Sequence, residues 1–140
     1  MRVSQHRLFL APQARAELEG QLLAEAAAAH PQEACGLILG SGDRIDTLRP
    51  AANVHPDPAA HFEIDPRALI GAHRAAREGG PQVLGYYHSH PFGPPAPSAT
   101  DRAHATGDGR VWAIVGEGTV GWWRDEPDGF VPLSYQWDGR

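Results

Sequence analysis

VLGYYHSHP, residues 83–91, is a short apolar and aromatic run that ends in two histidines and a proline. It follows the breaker Gly-Gly-Pro at 79–81, and such a run is typical of a buried strand, here predicted over 83–88. Side chains two residues apart on a strand share a face, so His88 and His90 should project together about 6–7 Å apart along it. Pro91 cannot donate to a sheet ladder, so the strand should end there. The pattern predicts two imidazoles that converge on one small cation.

A third ligand is available a short distance downstream. After a loop rich in proline and glycine, Ser98 and Asp101 open a predicted short helix. Two histidine nitrogens and the Asp101 carboxylate would leave a fourth tetrahedral position open for water, which is the layout of a catalytic zinc site. The alternative interpretation is purely structural: His-Ser-His is a polar strand end, and Ser98-x-x-Asp101 is a capping box. The two interpretations of Ser98 and Asp101 are compatible, because one helix N-terminus can serve both.

The complete spacing carries more information than its parts. It comprises His-x-His, seven residues, Ser, two residues and Asp, with Glu33 upstream in PQEACGL at 31–37. This pattern resembles the signature of the JAMM (MPN+) metalloproteases, and the resemblance covers nearly the whole chain. It implies Zn²⁺ held by His88, His90 and Asp101, with Glu33 as the general base and Ser98 as a group that stabilises the oxyanion.

The resemblance also implies a fold similar to that of the zinc cytidine deaminases. The deaminases themselves are a competing zinc interpretation, but their signature needs a Pro-Cys-x-x-Cys motif. The chain has a single cysteine, Cys35, which excludes that alternative.

Composition restricts the class of protein. A chain of 140 residues is expected to form one domain, 1–140, and 41% hydrophobic residues argue against disorder. The net charge of −5 and the lack of a basic run disfavour nucleic acid as a partner. One cysteine permits no internal disulfide, which favours a reducing cytosol. We found no signal peptide and no run of transmembrane length, so we expect a cytoplasmic protein that does not use a membrane.

The rest of the chain predicts helices and strands around the motif. Leu18, Leu22 and Ala26 form an apolar stripe on a helix over 12–30, and Asp65-Pro66 begins a second helix that ends near 79. Strands are predicted at 7–10, 34–39, 44–48, 62–64, 111–115, 119–123 and 130–135, with turns at 40–43, 116–118 and 127–129. Two longer helices, one short helix and about seven strands indicate an α/β protein, an α-β-α sandwich with a mixed sheet.

Several other residues have a functional and a structural interpretation. His104 shares a helix face with Asp101 and could assist or replace it as a ligand, but an exposed helical residue is the simpler interpretation. His55 and His61 lie on a loop that could border the cleft. Cys35 is interpreted as a small buried hydrophobe, and the four tryptophans, at 112, 122, 123 and 137, as sheet packing.

The resemblance implies a substrate. JAMM enzymes commonly hydrolyse the bond after the Gly-Gly tail of a ubiquitin-like protein. This short chain looks like the prokaryotic members that release cysteine or another adduct from ubiquitin-like sulfur carriers. The leading hypothesis is therefore a zinc-dependent peptidase or isopeptidase. Its alternatives are a non-catalytic MPN scaffold that binds a ubiquitin-like protein and a zinc amidase for small molecules. The sequence leaves the oligomeric state open.

Overall fold

The computed structural model describes residues 8–10, 12–42, 44–133 and 135–137. Three helices and eight strands form in this part of the chain. The helices are α1 (Pro12–Ala29), α2 (Pro66–Arg77) and α3 (Ala99–His104). The strands are β1 (Leu8–Leu10), β2 (Cys35–Ser41), β3 (Arg44–Ala51), β4 (Gln82–Ser89), β5 (Val111–Gly116), β6 (Thr119–Glu126), β7 (Gly129–Pro132) and β8 (Tyr135–Trp137).

The strands form one mixed sheet in the order β7-β6-β5-β4-β2-β3-β1-β8. β4 pairs in parallel with β5 and antiparallel with β2, so the strand that carries the histidine motif lies in the middle of the sheet. His88 is in register with Ile114 on one side and with Cys35 on the other. This placement brings the segment before β2, which contains Glu33, next to the end of β4.

Helices α1 and α2 cover opposite faces of the sheet. Leu18 and Leu22 of α1 pack in one core cluster with Ile38, whereas Ala72 of α2 packs in another with Leu37. Because successive strand residues point to opposite faces, Ile38 and Leu37 mark the two sides of β2. The predicted α-β-α sandwich with a mixed sheet, and the apolar stripe on the first helix, are confirmed.

Two hydrogen bonds fix α1 on its face of the sheet. The Tyr87 hydroxyl donates to Glu25 Oε1 at 2.5 Å, and Trp122 Nε1 donates to Glu19 Oε2 at 2.7 Å. Each satisfies a polar atom that would otherwise be left at the helix–sheet boundary. Trp112 and Trp122 are buried as predicted, Trp123 is partly buried, and the side chain of Trp137 lies outside the described residues.

Three sequence-based predictions about strands need correction. Residues 62–64 do not form a strand, because the chain makes only an isolated bridge between Asn53 and Ile64 there. The strand predicted at 130–135 is divided: β7 ends at Pro132, and β8 pairs in parallel with β1 at the opposite edge of the sheet. The turn predicted at 40–43 begins later, since β2 continues through Ser41. No helix in the described residues is long and apolar enough to span a bilayer.

Candidate metal centre and catalytic groups

The two histidines and Asp101 converge from two elements. His88 lies near the end of β4, and His90 follows the strand, where its backbone N–H donates to the carbonyl oxygen of Val115 at 2.7 Å. Asp101 lies on the first turn of α3. His88 Nε2 and His90 Nε2 are 3.2 Å apart, and each lies 3.0–3.2 Å from an Asp101 carboxylate oxygen. The predicted convergence of the side chains is confirmed.

This triangle of atoms fits a small tetrahedral cation. Zinc bound at about 2.0–2.2 Å to nitrogen and oxygen places neighbouring ligand atoms roughly 3.3 Å apart. The measured separations among His88, His90 and Asp101 are close to that value, and these three residues could hold a metal ion. They are the only such group in the described part of the chain. Two neutral nitrogens and one carboxylate suit Zn²⁺, and three protein ligands leave a position for water.

Contacts around the ligands orient both rings. His90 Nδ1 is 2.9 Å from the carbonyl oxygen of Pro94, so Nδ1 carries the proton and Nε2 is free to bind a metal. The ring of Phe62 stacks on His88 with centroids 4.3 Å apart, and Trp112 meets the His88 ring edge-on at 5.7 Å. His88 Nδ1 is buried and has no hydrogen-bond partner among the described residues, so the aromatic neighbours hold the His88 ring.

The protonation states of His88 and Asp101 favour ligation. Burial lowers the pKa of His88, which keeps that imidazole in its neutral, metal-binding form. Burial alone would raise the pKa of Asp101, but its hydrogen bonds with His88 and His90 outweigh burial and hold that pKa far below the usual range. At His90, burial is outweighed by Asp101 and the Pro94 carbonyl, which raise its pKa. Asp101 is therefore an ionised carboxylate, as a zinc ligand must be.

Ser98 and Asp101 form the predicted capping box. Ser98 Oγ accepts from the Asp101 backbone N–H at 3.1 Å, and Asp101 Oδ2 accepts from the Ser98 N–H at 2.9 Å. The same carboxylate therefore fixes the start of α3 and faces the histidines. Ser98 also lines the groove beside the ligands. The structural interpretation is confirmed, and a catalytic role for Ser98 remains compatible with it.

Glu33 is the buried carboxyl group at the entrance of β2. It is 7% exposed, and its burial is the main reason that its pKa is raised to about 7. The charge of His90 lowers this pKa, and the charge of Asp101 raises it. The next residue, Ala34, exchanges hydrogen bonds with Ser89: the Ala34 N–H donates to Ser89 Oγ and its carbonyl accepts from the Ser89 N–H. The serine between the two histidines thus ties the Glu33 segment to β4. A carboxyl group with a pKa near neutrality is suited to proton transfer.

Asn53 is a residue of this site that the sequence analysis did not identify. Its half-buried side chain organises the loop 53–63, whose Phe62 stacks on His88. The Asn53 amide group donates to the backbone oxygens of Glu33, Pro58 and His61, while Oδ1 accepts from the backbone N–H groups of His55 and Glu63. The Glu33 N–H completes the arrangement by donating to the Pro58 oxygen at 2.8 Å. The only hint in the sequence is an asparagine in a loop rich in proline, a context typical of side-chain-to-backbone bonding.

A groove of about 390 Å³ brings the candidate groups together. Glu33, His90 and Ser98 line it, together with Ala59, Ala60 and the loop residues 91–94, 96 and 97. His61 and His104 line a separate cavity that Glu33 and Asp101 also border, but neither belongs to the group that could hold a metal. Cys35 is buried, and burial raises its pKa to about 12, which agrees with its interpretation as a small hydrophobe.

The chain is similar to several known proteins. A profile of the family described as prokaryotic homologs of the JAB domain matches residues 15–126. A desampylase of Haloferax volcanii is 33% identical over 135 residues, 95% of this chain and 89% of that protein. A probable TtuB-protein conjugate cleaving protease of Thermus thermophilus is 40% identical over 85 residues, 61% of this chain and 54% of that protein.

A further relative is the CysO-cysteine peptidase of Mycobacterium tuberculosis, 32% identical over 103 residues, which are 72% of this chain and 70% of that protein. The fold is also similar to that of a solved JAB1/MPN domain protein from Archaeoglobus fulgidus. That structure covers 96% of this chain and 99% of its own, with a TM-score of 0.54 and 24% identity. At this identity the likeness concerns the fold alone.

Proposed function

The chain belongs to the prokaryotic homologs of the JAB domain, and from this membership we propose that it is a zinc-dependent peptidase or isopeptidase. Its substrate would be an amide bond that follows the Gly-Gly tail of a ubiquitin-like or sulfur-carrier protein. The observation that carries the proposal is a group of three convergent ligand atoms beside a buried carboxyl group, Glu33, whose pKa is near 7 and which lines one groove with His90.

The relatives support a peptidase that acts on protein conjugates. Their names describe a desampylase, a protease that cleaves TtuB conjugates and a peptidase for CysO-cysteine. The chain is accordingly a JAMM-type hydrolase whose partner is a ubiquitin-like or sulfur-carrier protein. The Gly-Gly sequence of the tail, the cytoplasmic location and the absence of a nucleic-acid partner are parts of our proposal.

His88, His90 and Asp101 would hold the zinc ion. Zinc in this position supplies Lewis acidity, which polarises an amide carbonyl and lowers the pKa of a bound water to about 7. The role of the protein is to keep the His88 imidazole neutral and the Asp101 carboxylate ionised, and to fix the two rings through Pro94 and Phe62.

Glu33 is the proton carrier in this mechanism. With a pKa near 7 it is able to accept a proton from the attacking water and then donate it to the leaving amine nitrogen. The water oxygen forms a bond to the carbonyl carbon, the carbon–nitrogen bond breaks, and the products are a carboxylate and an amine. Ser98 would donate its hydroxyl hydrogen to the carbonyl oxygen as negative charge develops there.

The walls of the groove favour a slender chain. Ala59, Ala60 and Ala96 line it together with prolines of the loop 91–97. An extended tail without side chains fits between such walls with little steric cost. This is our physical reason for proposing glycines on the carrier side of the bond.

Mass spectrometry of a defined substrate tests the proposal. A Gly-Gly-tailed sulfur carrier from the same organism, extended by one cysteine, is incubated with zinc-loaded protein, with and without a chelator. We expect the carrier to lose the mass of the cysteine only without chelator. An intact carrier beside a zinc-occupied protein would contradict the proposal and favour a binding role or a small-molecule amide.

A further inference from the structure

Phe92 is the most exposed large hydrophobic residue in the described part of the chain. Its side chain is 82% exposed, whereas that of Ile70, the second most exposed of these residues, is 57% exposed. Aromatic residues, Phe among them, are enriched in the buried cores of protein interfaces relative to the rest of the protein surface.

The loop that carries Phe92 is fixed at several points. The Pro94 carbonyl contacts His90 Nδ1 at 2.9 Å, and Trp123 Nε1 donates to the Pro95 carbonyl at 3.1 Å. Two glycines of the sheet allow this close approach, because a Cβ at Gly116 or at Gly121 would collide with the loop backbone. Prolines at 91, 94, 95 and 97 restrict the loop further. The loop is therefore already ordered, and little of its conformational entropy is lost when a partner covers Phe92.

The position of Phe92 connects it to the active groove. It lines the same groove of about 390 Å³ as Glu33, His90 and Ser98. On its other side its ring meets the ring of His30 edge-on at 5.3 Å. His30 and His90 border a second groove, of about 500 Å³, between α1 and the β5–β6 turn. Phe92 is thus an exposed residue of the groove that Glu33 and His90 also line.

We propose that Phe92 anchors the folded body of the carrier protein beside the groove that receives its tail. The inference rests on the proposed function and adds a contact outside the reacting groups. The partner surface would be apolar, since the ring offers no hydrogen bond and a buried aromatic side chain removes about 150–250 Å² from water. The carrier body is the occupant, rather than the adduct, because every substrate has the body whereas a single cysteine is too small to cover the ring.

Steady-state kinetics of Phe92→Ala test the inference with three substrates. These are the carrier–cysteine adduct, the same carrier with a ten-residue adduct, and a short Gly-Gly-Cys peptide without the carrier body. We expect KM for both carrier substrates to rise about tenfold or more, and KM for the peptide to rise much less, because the peptide lacks the carrier body. Ile70→Ala, on α2, is the matched control and should change none of these values.

A direct binding measurement separates this inference from the proposed function. Calorimetry measures binding of the carrier without an adduct to metal-free protein. The dissociation constant should be about tenfold larger for Phe92→Ala than for the wild type or Ile70→Ala. Phe92→Leu, which keeps an apolar side chain, should recover part of the affinity. Equal affinities would overturn the inference even if cleavage occurs, and a loss of affinity in Phe92→Ala would support it even if no substrate is cleaved.

Two further outcomes of the kinetic experiment would overturn the inference about Phe92. An equal rise in KM for the short peptide would mean that Phe92 contacts the tail within the groove. A rise confined to the ten-residue adduct would mean that Phe92 contacts the leaving group instead of the carrier body.

Discussion

Ser98 shows how one side chain can have a structural and a chemical role at the same position. Its hydroxyl oxygen accepts the Asp101 N–H at the start of α3, and it also lines the groove beside His90. A hydroxyl that accepts from a backbone N–H still has its own hydrogen to donate. The cap therefore leaves that hydrogen available to a developing oxyanion.

Replacing Ser98 with glycine separates the two roles. Glycine is tolerated at the N-cap at a cost of a few tenths of a kcal/mol, whereas loss of an oxyanion donor lowers kcat by about 10²–10³-fold. We expect Ser98→Gly to keep the melting temperature within a few degrees and to lose that much activity. Thermal melting and kcat, measured together with the control Ser98→Thr, check this. A wild-type kcat in Ser98→Gly would mean that Ser98 has only a helix-capping role.

The sequence identified the residues whose chemistry is visible in their type and spacing. His88 and His90 are two apart on a strand, and Asp101 follows a capping residue, so local geometry alone predicted their convergence. Asn53 and Phe62 were missed because their roles depend on where the loop 53–63 returns. A long-range contact such as Phe62 on His88 leaves no periodic signal in the sequence.

At the scale of elements, the loop 53–63 connects Glu33 to the proposed metal ligand His88. Asn53 holds this loop through backbone hydrogen bonds, one of them to the Glu33 carbonyl. Phe62, at the far end of the loop, stacks on His88. The loop thus supports the proposed base and one proposed ligand without providing either.

Asn53→Ala should loosen this loop. The change leaves several backbone groups without partners, at about 1–3 kcal/mol for each one that stays buried. We expect reduced stability and a clear fall in kcat, because the Glu33 segment and the His88 ring lose the support of this loop. Kinetics and zinc content, measured below the melting temperature of the variant, test this.

Asn53→Asp is the matched control: it keeps the Oδ1 acceptor but no donor, and we expect intermediate stability. Wild-type kcat in Asn53→Ala would contradict a positioning role.

The elements that the sequence predicted well have strong local patterns. The stripe of Leu18, Leu22 and Ala26 and the Asp65-Pro66 start of α2 are examples. The end of the chain was predicted less well. The break after β7 and the parallel pairing of β8 with β1 depend on a crossing to the opposite sheet edge, and nothing in residues 130–135 indicates that partner.

For the whole molecule, a bound ion should link the end of β4 to the start of α3. Zinc that binds only the folded state stabilises it by about 2.7 kcal/mol at a free concentration of about 100 times Kd. For a protein of this size that corresponds to a rise in Tm on the order of 10 °C. Differential scanning calorimetry with zinc and with chelator measures the shift, which His88→Ala should abolish. A zinc-induced rise of the same size in His88→Ala would place the ion elsewhere.

The measurement that tests the central claim most directly is the single-turnover rate of Glu33→Gln at equal zinc occupancy. The amide keeps the size of the carboxyl group but cannot carry the proton, so we expect full zinc binding and a rate lowered by about 10²–10⁴-fold on the carrier–cysteine adduct. Zinc content by elemental analysis must match the wild type in the same samples. A fully loaded Glu33→Gln enzyme that cleaves at the wild-type rate would contradict our account of how this site works.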